Sequence, residues 1–490
     1  MILSKQLFST IEKYLSVFFL SGFFIFSASA QVTTMQNIDA RNTQNLDGRW
    51  HYIVDPYETG NGNFYKNQHQ RSKADLVEYD FAQSPTINVP GDWNSQNDKL
   101  LFYEGTVWYE HDFNVTIDPA KKYFLYFKSI NYEATIYVNG KKAGEHSGGF
   151  TPFQFDVTEL LHDGNNFVVV KANNTRRKEN VPTENFDWWN YGGITGDVVL
   201  AKMPATFISD YKIQLAKSDR KHITGFVQLK GNAANQKITV GIPEANISAT
   251  ITSNDSGFAN LDISVKNLHY WSPEDPKLYD VTIMSAGDSV KDKIGFRTIE
   301  TKGKDILLNG KPVFLRGVCM HDEDPFIPGR PRYESECRMM LNWAKELNCN
   351  FMRLAHYPHN EVEARLADSM GILLWEEVPV YWSIDWENAA TYDIAQHQLS
   401  ELVARDKNRA SVIIWSIGNE TPATDAREKF MEALADHAHS LDNTRLVSAA
   451  LLGHINNDVF YLDDPLGKKL DVVSFNEYIG WYVGSPQDIG

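Results

Sequence analysis

Val412-Ile-Ile-Trp-Ser-Ile-Gly-Asn-Glu420 is an apolar run that stops abruptly on an amide and a carboxylate. The run has the length and composition of a strand, and its polar end is the feature to follow. Similar strands lie on both sides of it, at Val313–Met320, Asn350–His356, Ile372–Val378, Leu446–Leu451 and Val472–Tyr478. Amphipathic stretches such as Tyr333–Leu347, Asn360–Ser369 and Asp425–Leu441 fall between them and predict helices. Strands alternating with helices from Lys302 onward are the mark of β/α units. In a β/α barrel the chemistry sits where strands end and loops begin. Polar groups cluster at those ends: His321, His356, Glu376-Glu377, Asn419-Glu420 and Asn476-Glu477. A doubly wound sheet would also alternate, but the polar strand ends favour a TIM barrel. Six strands are legible where a closed barrel has eight. The expectation is therefore a partial barrel over 302–490, a fragment or a degenerate product with exposed sheet edges.

Upstream the texture is all-β. From Leu46 to about Ala205, short alternating runs are separated by turn residues, as in Glu133-Ala-Thr-Ile-Tyr-Val-Asn-Gly140. Its Asn139-Gly140 pair predicts a type I′ hairpin. No long helical period interrupts this part, which fits a jelly-roll β-sandwich. From 206 to 301 a second set of alternating runs, such as Asn246–Thr252 and Leu278–Met284, suits an immunoglobulin-like sandwich.

The first 30 residues read differently. Lys5 and Lys13 precede the apolar run Tyr14–Phe26, and Ser27-Ala28-Ser29-Ala30 is an A-x-A-like cleavage site. This pattern predicts a signal peptide, hence a secreted or periplasmic protein. The formal net charge of −16 argues against a nucleic-acid partner and offers no basic face to an anionic membrane. Three cysteines, Cys319, Cys337 and Cys349, form neither a disulfide framework nor a zinc pair and read as buried free thiols. No motif calls for a cofactor or a metal. Twelve tryptophans suit sugar stacking, yet most such residues fill cores. Self-association of copies is allowed but not specified.

Glu420 is the strongest chemical candidate. A carboxyl at the rim of a dry barrel loses solvent, which favours the protonated form that a general acid needs. Asn419 beside it could hydrogen-bond a sugar hydroxyl. The competing reading is a carboxylate at the start of the following helix, where the dipole welcomes it.

The stretch Ser411–Glu420 resembles the acid/base segment of glycoside hydrolase family 2, the β-galactosidase/β-glucuronidase family. Asn350-Phe-Met-Arg-Leu-Ala-His-Tyr-Pro358 and Leu374-Trp-Glu-Glu-Val-Pro379 are similar to its second and third strands. Val89-Pro-Gly-Asp-Trp-Asn94, Gly148-Gly-Phe-Thr-Pro-Phe153 and Phe186-Asp-Trp-Trp-Asn-Tyr-Gly-Gly193 match its first sandwich. The resemblance covers nearly all of 46–490 in the family's domain order.

The resemblance implies an exo-acting, retaining β-glycosidase acting on a carbohydrate, with Glu420 as general acid/base. It implies that Asp187 reaches the barrel site from a sandwich loop and that His356 hydrogen-bonds the sugar. Arg353 and Glu377 match positions that shape the pocket, with a structural ion pair as the alternative. Asn476-Glu-Tyr-Ile-Gly-Trp-Tyr482 resembles a β-glucuronidase segment and makes Tyr482 a sugar contact, although Glu477 stands where that pattern has Arg. Gly193-Ile-Thr-Gly196 also lacks an Arg usual to the family. The family's nucleophile, a Glu at the end of a seventh strand, is not present. Glu376, Glu377 and Glu477 sit on strands where the family does not place it. A catalytically dead or carbohydrate-binding remnant and a β-mannosidase are the competing expectations.

Overall fold

The computed structural model describes residues 34–487, apart from 71, 73, 76, 78, 218, 286, 458, 483 and 486. The predicted signal peptide lies outside the described residues.

The first sandwich packs two antiparallel sheets. One runs Thr43–Asn45, Val198–Pro204, Lys121–Phe127, Phe153–Asp156 in spatial order. The other runs Thr86–Val89, Gly48–Val54, Thr106–Val115, Gly164–Asn173, Glu133–Val138, Lys141–Ser147. Alternating residues such as Ala134, Ile136 and Val138 point into the shared core, and the intervening positions are half-buried. The Asn139-Gly140 turn forms as expected, with both residues at positive φ. The second sandwich pairs a three-stranded sheet, Phe207–Leu215, His222–Lys230 and Phe258–Ser264, with a four-stranded one. Its core includes Tyr211, Val227, Ile238, Val281 and Phe296.

The third region is a parallel sheet of six strands in the described residues: β1 (Gly317–Met320), β2 (Phe351–Leu354), β3 (Leu373–Glu377), β4 (Val412–Asn419), β5 (Leu446–Leu451) and β6 (Val472–Phe475). Each strand pairs with the next in chain order. A doubly wound sheet reverses its order at a switch point, so this unbroken order is that of a barrel wall. Helices α1 (Glu334–Glu346), α2 (Glu361–Met370), α3 (Ala389–Asp406) and α4 (Asp425–Leu441) form the outer layer. Asn360 and Thr424 cap α2 and α4 through side-chain oxygens. Below the strands, Ile299 and Leu308 of the antiparallel pair Ile299–Lys302 and Asp305–Leu308 join Leu373, Trp375, Ile414 and Leu446 in one apolar cluster. That cluster covers the start of the strands and leaves their carboxyl ends for chemistry.

Two expectations need correction. β1 and β6 are shorter than predicted, because Val313 pairs with Ile306 beneath the sheet and Asn476–Tyr478 turn toward Glu420. Cys337 and Cys349 are buried thiols, but Cys319 is exposed. It lies on the edge strand β1, beside Arg353 of β2, on the cavity side of the sheet.

Candidate active site

β4 does not run straight to its end. Its register with β5 shifts between Ser416 and Asn419, so three residues of β4 span two of β5. Such a bulge re-aims the side chains that follow it. Gly418 permits it: a Cβ there would lie 2.8 Å from the Val380 carbonyl, which accepts from the Asn419 amide at 2.9 Å. Glu420 then takes up φ 49°, a left-handed conformation uncommon for glutamate and found disproportionately at functional sites. Its amide donates to the Ala450 carbonyl at 2.7 Å. α4 begins only at Asp425 with Thr424 as its cap, so Glu420 is not the helix-start carboxylate of the competing reading.

The Glu420 carboxylate takes three donors. Trp382 Nε1 lies 3.2 Å and Asn419 Nδ2 3.4 Å from Oε2, and the Tyr478 hydroxyl lies 2.5 Å from Oε1. Beneath it runs a buried network. Arg353 donates to Glu377 at 3.0 and 3.1 Å, to Asn419 Oδ1 at 2.6 Å and to Asn476 Oδ1 at 2.8 Å. Glu377 also accepts from Trp375 Nε1 and Ser416 Oγ, both at 2.7 Å, and sits 2.7 Å from His356 Nδ1. Burial pushes the Glu377 carboxyl up, but Arg353 and His356 more than offset this and hold it at about 2. The Arg353–Glu377 ion pair named as the alternative role is thus present, and the same pair orients Asn419.

Across the cavity stands a loop of the first sandwich. Trp188 packs against Tyr381 and His356, with ring centroids 5.1 and 6.0 Å away, and it sets Asp187 at the cavity wall. Asp187, His321 and His356 bring their ligand atoms within 4.8 Å of one another. Burial, with His356 alongside, lowers His321 to about 4 and keeps its imidazole neutral. This set could hold a divalent ion, and it could equally hydrogen-bond vicinal hydroxyls. A second cluster, Asp322, His359 and Glu363, is fully buried. Both His359 nitrogens already face oxygens, Glu363 Oε2 and the Ala355 carbonyl at 2.9 Å each, which leaves no lone pair for an ion. That cluster anchors the turn leading to His356.

Glu420, Asn419, Arg353, His356, Asp187 and Tyr482, singled out from sequence, line one open cavity of about 680 Å³, with Glu377 buried beneath. Tyr482 stacks edge-on with Tyr478, centroids 5.2 Å apart. Glu376 does not join them. As the strand neighbour of Glu377 it points to the opposite face. Among the helices, burial and Asp406 push its carboxyl well up while Arg405 opposes. Sequence reasoning missed Trp382, Tyr381 and Trp188. Tyr381 and Trp382 follow β3, where a barrel's loops carry function, and their aromatic pair was the only signal.

Residues 43–204 match the sugar binding domain of glycosyl hydrolases family 2, residues 206–297 match the domain named for that family alone, and residues 299–489 match its TIM barrel domain. A putative β-glucuronidase of Formosa agariphila is 30% identical over 431 residues, covering 82% of this chain and 51% of that protein. The chain therefore spans about half the length of that relative. A β-glucuronidase of Streptococcus agalactiae is 30% identical over 489 residues, covering 90% of this chain and 77% of that one. The solved β-glucuronidase of Ruminococcus gnavus in complex with D-glucuronic acid superposes with a TM-score of 0.78 at 26% identity, covering 92% of this chain and 78% of that one.

Proposed function

The chain belongs to glycosyl hydrolase family 2, and from that premise we propose that it acts on β-glucuronides as an exo-acting, retaining glycosidase with Glu420 as general acid/base. One observation carries the reading. Glu420 is held at a strained strand end by Trp382, Asn419 and Tyr478, over a charged network and facing Asp187 across one cavity.

Glu420 donates its proton to the glycosidic oxygen as the bond to the anomeric carbon lengthens. A second carboxylate attacks that carbon from the opposite face, and Glu420 then takes a proton from the water that releases the sugar. Neither Glu376 nor Glu377 is assigned the attacking role: Glu376 lies in the helix layer and Glu377 is locked under Arg353. Asn419, held by Arg353 and Asn476, meets a hydroxyl next to the reacting carbon. Asp187, His356 and Tyr482 meet the other sugar oxygens. Relatives named β-glucuronidases favour the uronate over a galactoside or mannoside. Residues 1–30 act as a signal peptide in this reading, and the mature protein is secreted or periplasmic.

The purified protein should hydrolyse 4-methylumbelliferyl β-glucuronide faster than the matching β-galactoside and β-mannoside. Glu420→Gln should lower kcat/KM by about 10²–10⁴-fold. Absence of turnover on all three substrates, or an unaffected Glu420→Gln variant, would overturn the reading. Amino-terminal sequencing of the exported protein should begin at Gln31; cytosolic protein with its first 30 residues intact would refute export.

A further inference from the structure

We propose that a cavity between the first sandwich and the barrel binds one hydrogenphosphate ion, held by Arg330 and recognised through its O–H by Asp322. The site lies apart from Glu420 and does not depend on the sugar chemistry. The cavity measures about 40 Å³. A water needs about 10–15 Å³, so the space takes about three waters or one tetrahedral oxyanion. Lys128, Ser129 and Gly196 of the sandwich form one wall, Arg330 and Arg332 of the loop between β1 and α1 form another, and Asn360 closes it at the start of α2. Gly196 stands where the family usually has an arginine. A Cβ there would come within 2.6 Å of the Ser129 backbone nitrogen, so no side chain fills the space from this wall.

Two buried groups of the lining lack partners. Arg330 is 7% exposed, and among the described residues its Nε has no hydrogen-bond partner and its guanidinium no ion pair. It lies over the rings of Phe150 and Tyr357, 4.4 and 5.1 Å from their centroids, which fixes its plane and leaves its N–H edge unmet. Asp322 is 3% exposed, and its Oδ1 is likewise without a partner. Leaving such groups buried and unsatisfied is costly, so both point to a ligand. The other charges are engaged. Lys128 meets Asp39 and Asp197 at 3.0 and 2.9 Å, Glu361 meets Arg365 at 2.8 Å, and Arg405 meets Asp406 at 2.6 Å. Arg330 and Arg332 then face Asp322 alone, a balance that selects an anion. A guanidinium fork matches a tetrahedral oxyanion. Sulfate carries no hydrogen at neutral pH, so it would leave Asp322 Oδ1 without a donor and press charge against it. Phosphate keeps an O–H, which donates to Asp322 while its other oxygens accept from Arg330. Phe150 and Tyr357 belong to one ring cluster with Trp188, so the bound ion steadies the stack on which the Asp187 loop rests.

Titration calorimetry and thermal melts at constant ionic strength test this, with inorganic phosphate as the probe and sulfate and chloride as comparisons. The wild-type protein should bind one phosphate saturably, melt several degrees higher with it, and prefer it to sulfate by about tenfold or more. Arg330→Met should weaken phosphate binding about tenfold or more. Asp322→Asn, whose amide can donate, should bring sulfate level with phosphate. Arg330 is buried, so Arg332→Gln, at a half-buried position, supplies a second variant. It should lower phosphate affinity several-fold and leave the melting temperature in chloride unchanged. Glycerol 2-phosphate carries the same group on an ester too large for the space and should not compete; competition would assign the site to a phosphate ester and overturn the free ion. No saturable phosphate binding, sulfate bound as tightly by the wild type, or undiminished phosphate affinity in the arginine variants would each overturn the proposal.

Discussion

Glu377 shows what one residue carries. It is fully buried, and its acceptor capacity is used by Arg353, His356, Trp375 and Ser416. Removing one member of a buried pair strands the other, at about 3–5 kcal/mol. Glu377→Gln should cost that much at neutral pH and should misplace Asn419 through Arg353, so kcat should fall more than the substrate's binding. The carboxyl's folded pKa is depressed, to about 2, below its unfolded value of 4.5. Its stabilisation is therefore present above pH 4.5 and lost as pH falls toward 2. Chemical denaturation of wild type and variant across pH 2 to 7 should show the gap closing in that window; a constant gap would contradict the assignment. The opposite sign applies to Glu110. Burial, with Asp112 adding to it, raises this carboxyl to about 7, so it withdraws stability as pH rises from 4.5 to 7. Glu110→Gln should flatten that part of the profile.

Helix α3 shows what an element's surroundings hide. It was not among the helices named from the sequence, although its neighbours α1, α2 and α4 were. Those present an apolar stripe to the sheet and a polar face to water. α3 is covered on both sides. Leu399, Leu402 and Val403 face the barrel, while Thr391, Gln398 and Glu401 face the first sandwich and are buried too. Thr391 donates to the Glu179 carbonyl at 2.8 Å, Gln398 to the Val181 carbonyl at 2.6 Å, and Glu401 accepts from Thr151 at 2.6 Å with His146 at 3.1 Å. Polar residues used at an interface break the periodicity that identifies a helix. Glu401→Ala leaves Thr151 and His146 without this acceptor and should cost about 1–3 kcal/mol. Thermal melts measure it, and an unchanged melting temperature would show that the contact contributes nothing.

At the scale of the whole molecule the barrel is held by buried charge as well as by apolar packing. Lys407 meets Asp210 at 2.6 Å and Lys212 meets Asp442 at 2.9 Å. Asp292 of the second sandwich accepts from Arg409 at 2.6 Å, Tyr211 at 2.7 Å and Arg365 at 3.3 Å. Arg297, at the junction, donates to the carbonyls of Ala410 and Thr444 at 3.0 and 3.1 Å, and to that of Val412. These contacts tie the amino-terminal ends of the strands to the second sandwich, while the loop bearing Asp187 and Trp188 reaches the carboxyl ends from the first. Calorimetry of the wild-type protein should show one transition. Asp292→Asn should split it or lower it by several degrees; an unchanged trace would mean that the domains are not coupled through this cluster.

The order of domains, the alternation of strand and helix and the strand-end positions of Glu420, Asn419, Arg353, His356 and Glu377 were legible in the chain. Each is a local pattern: residue period sets the element, and the end of an apolar run marks the rim of the sheet. What the tertiary structure alone decided is non-local. It turned Glu420 out of line through a bulge accommodated by Gly418 against Val380, and brought Trp382 and Tyr478 to its carboxylate from neighbouring loops. It sent Glu376 and Glu377, adjacent in sequence, to opposite faces with carboxyls shifted in opposite directions. It brought Leu451, Leu452, Ile455, Phe460 and Ile479 from separate segments to line a cavity next to the acid. Contacts between residues distant in sequence carry no period, so only the packing of one element against another fixes them.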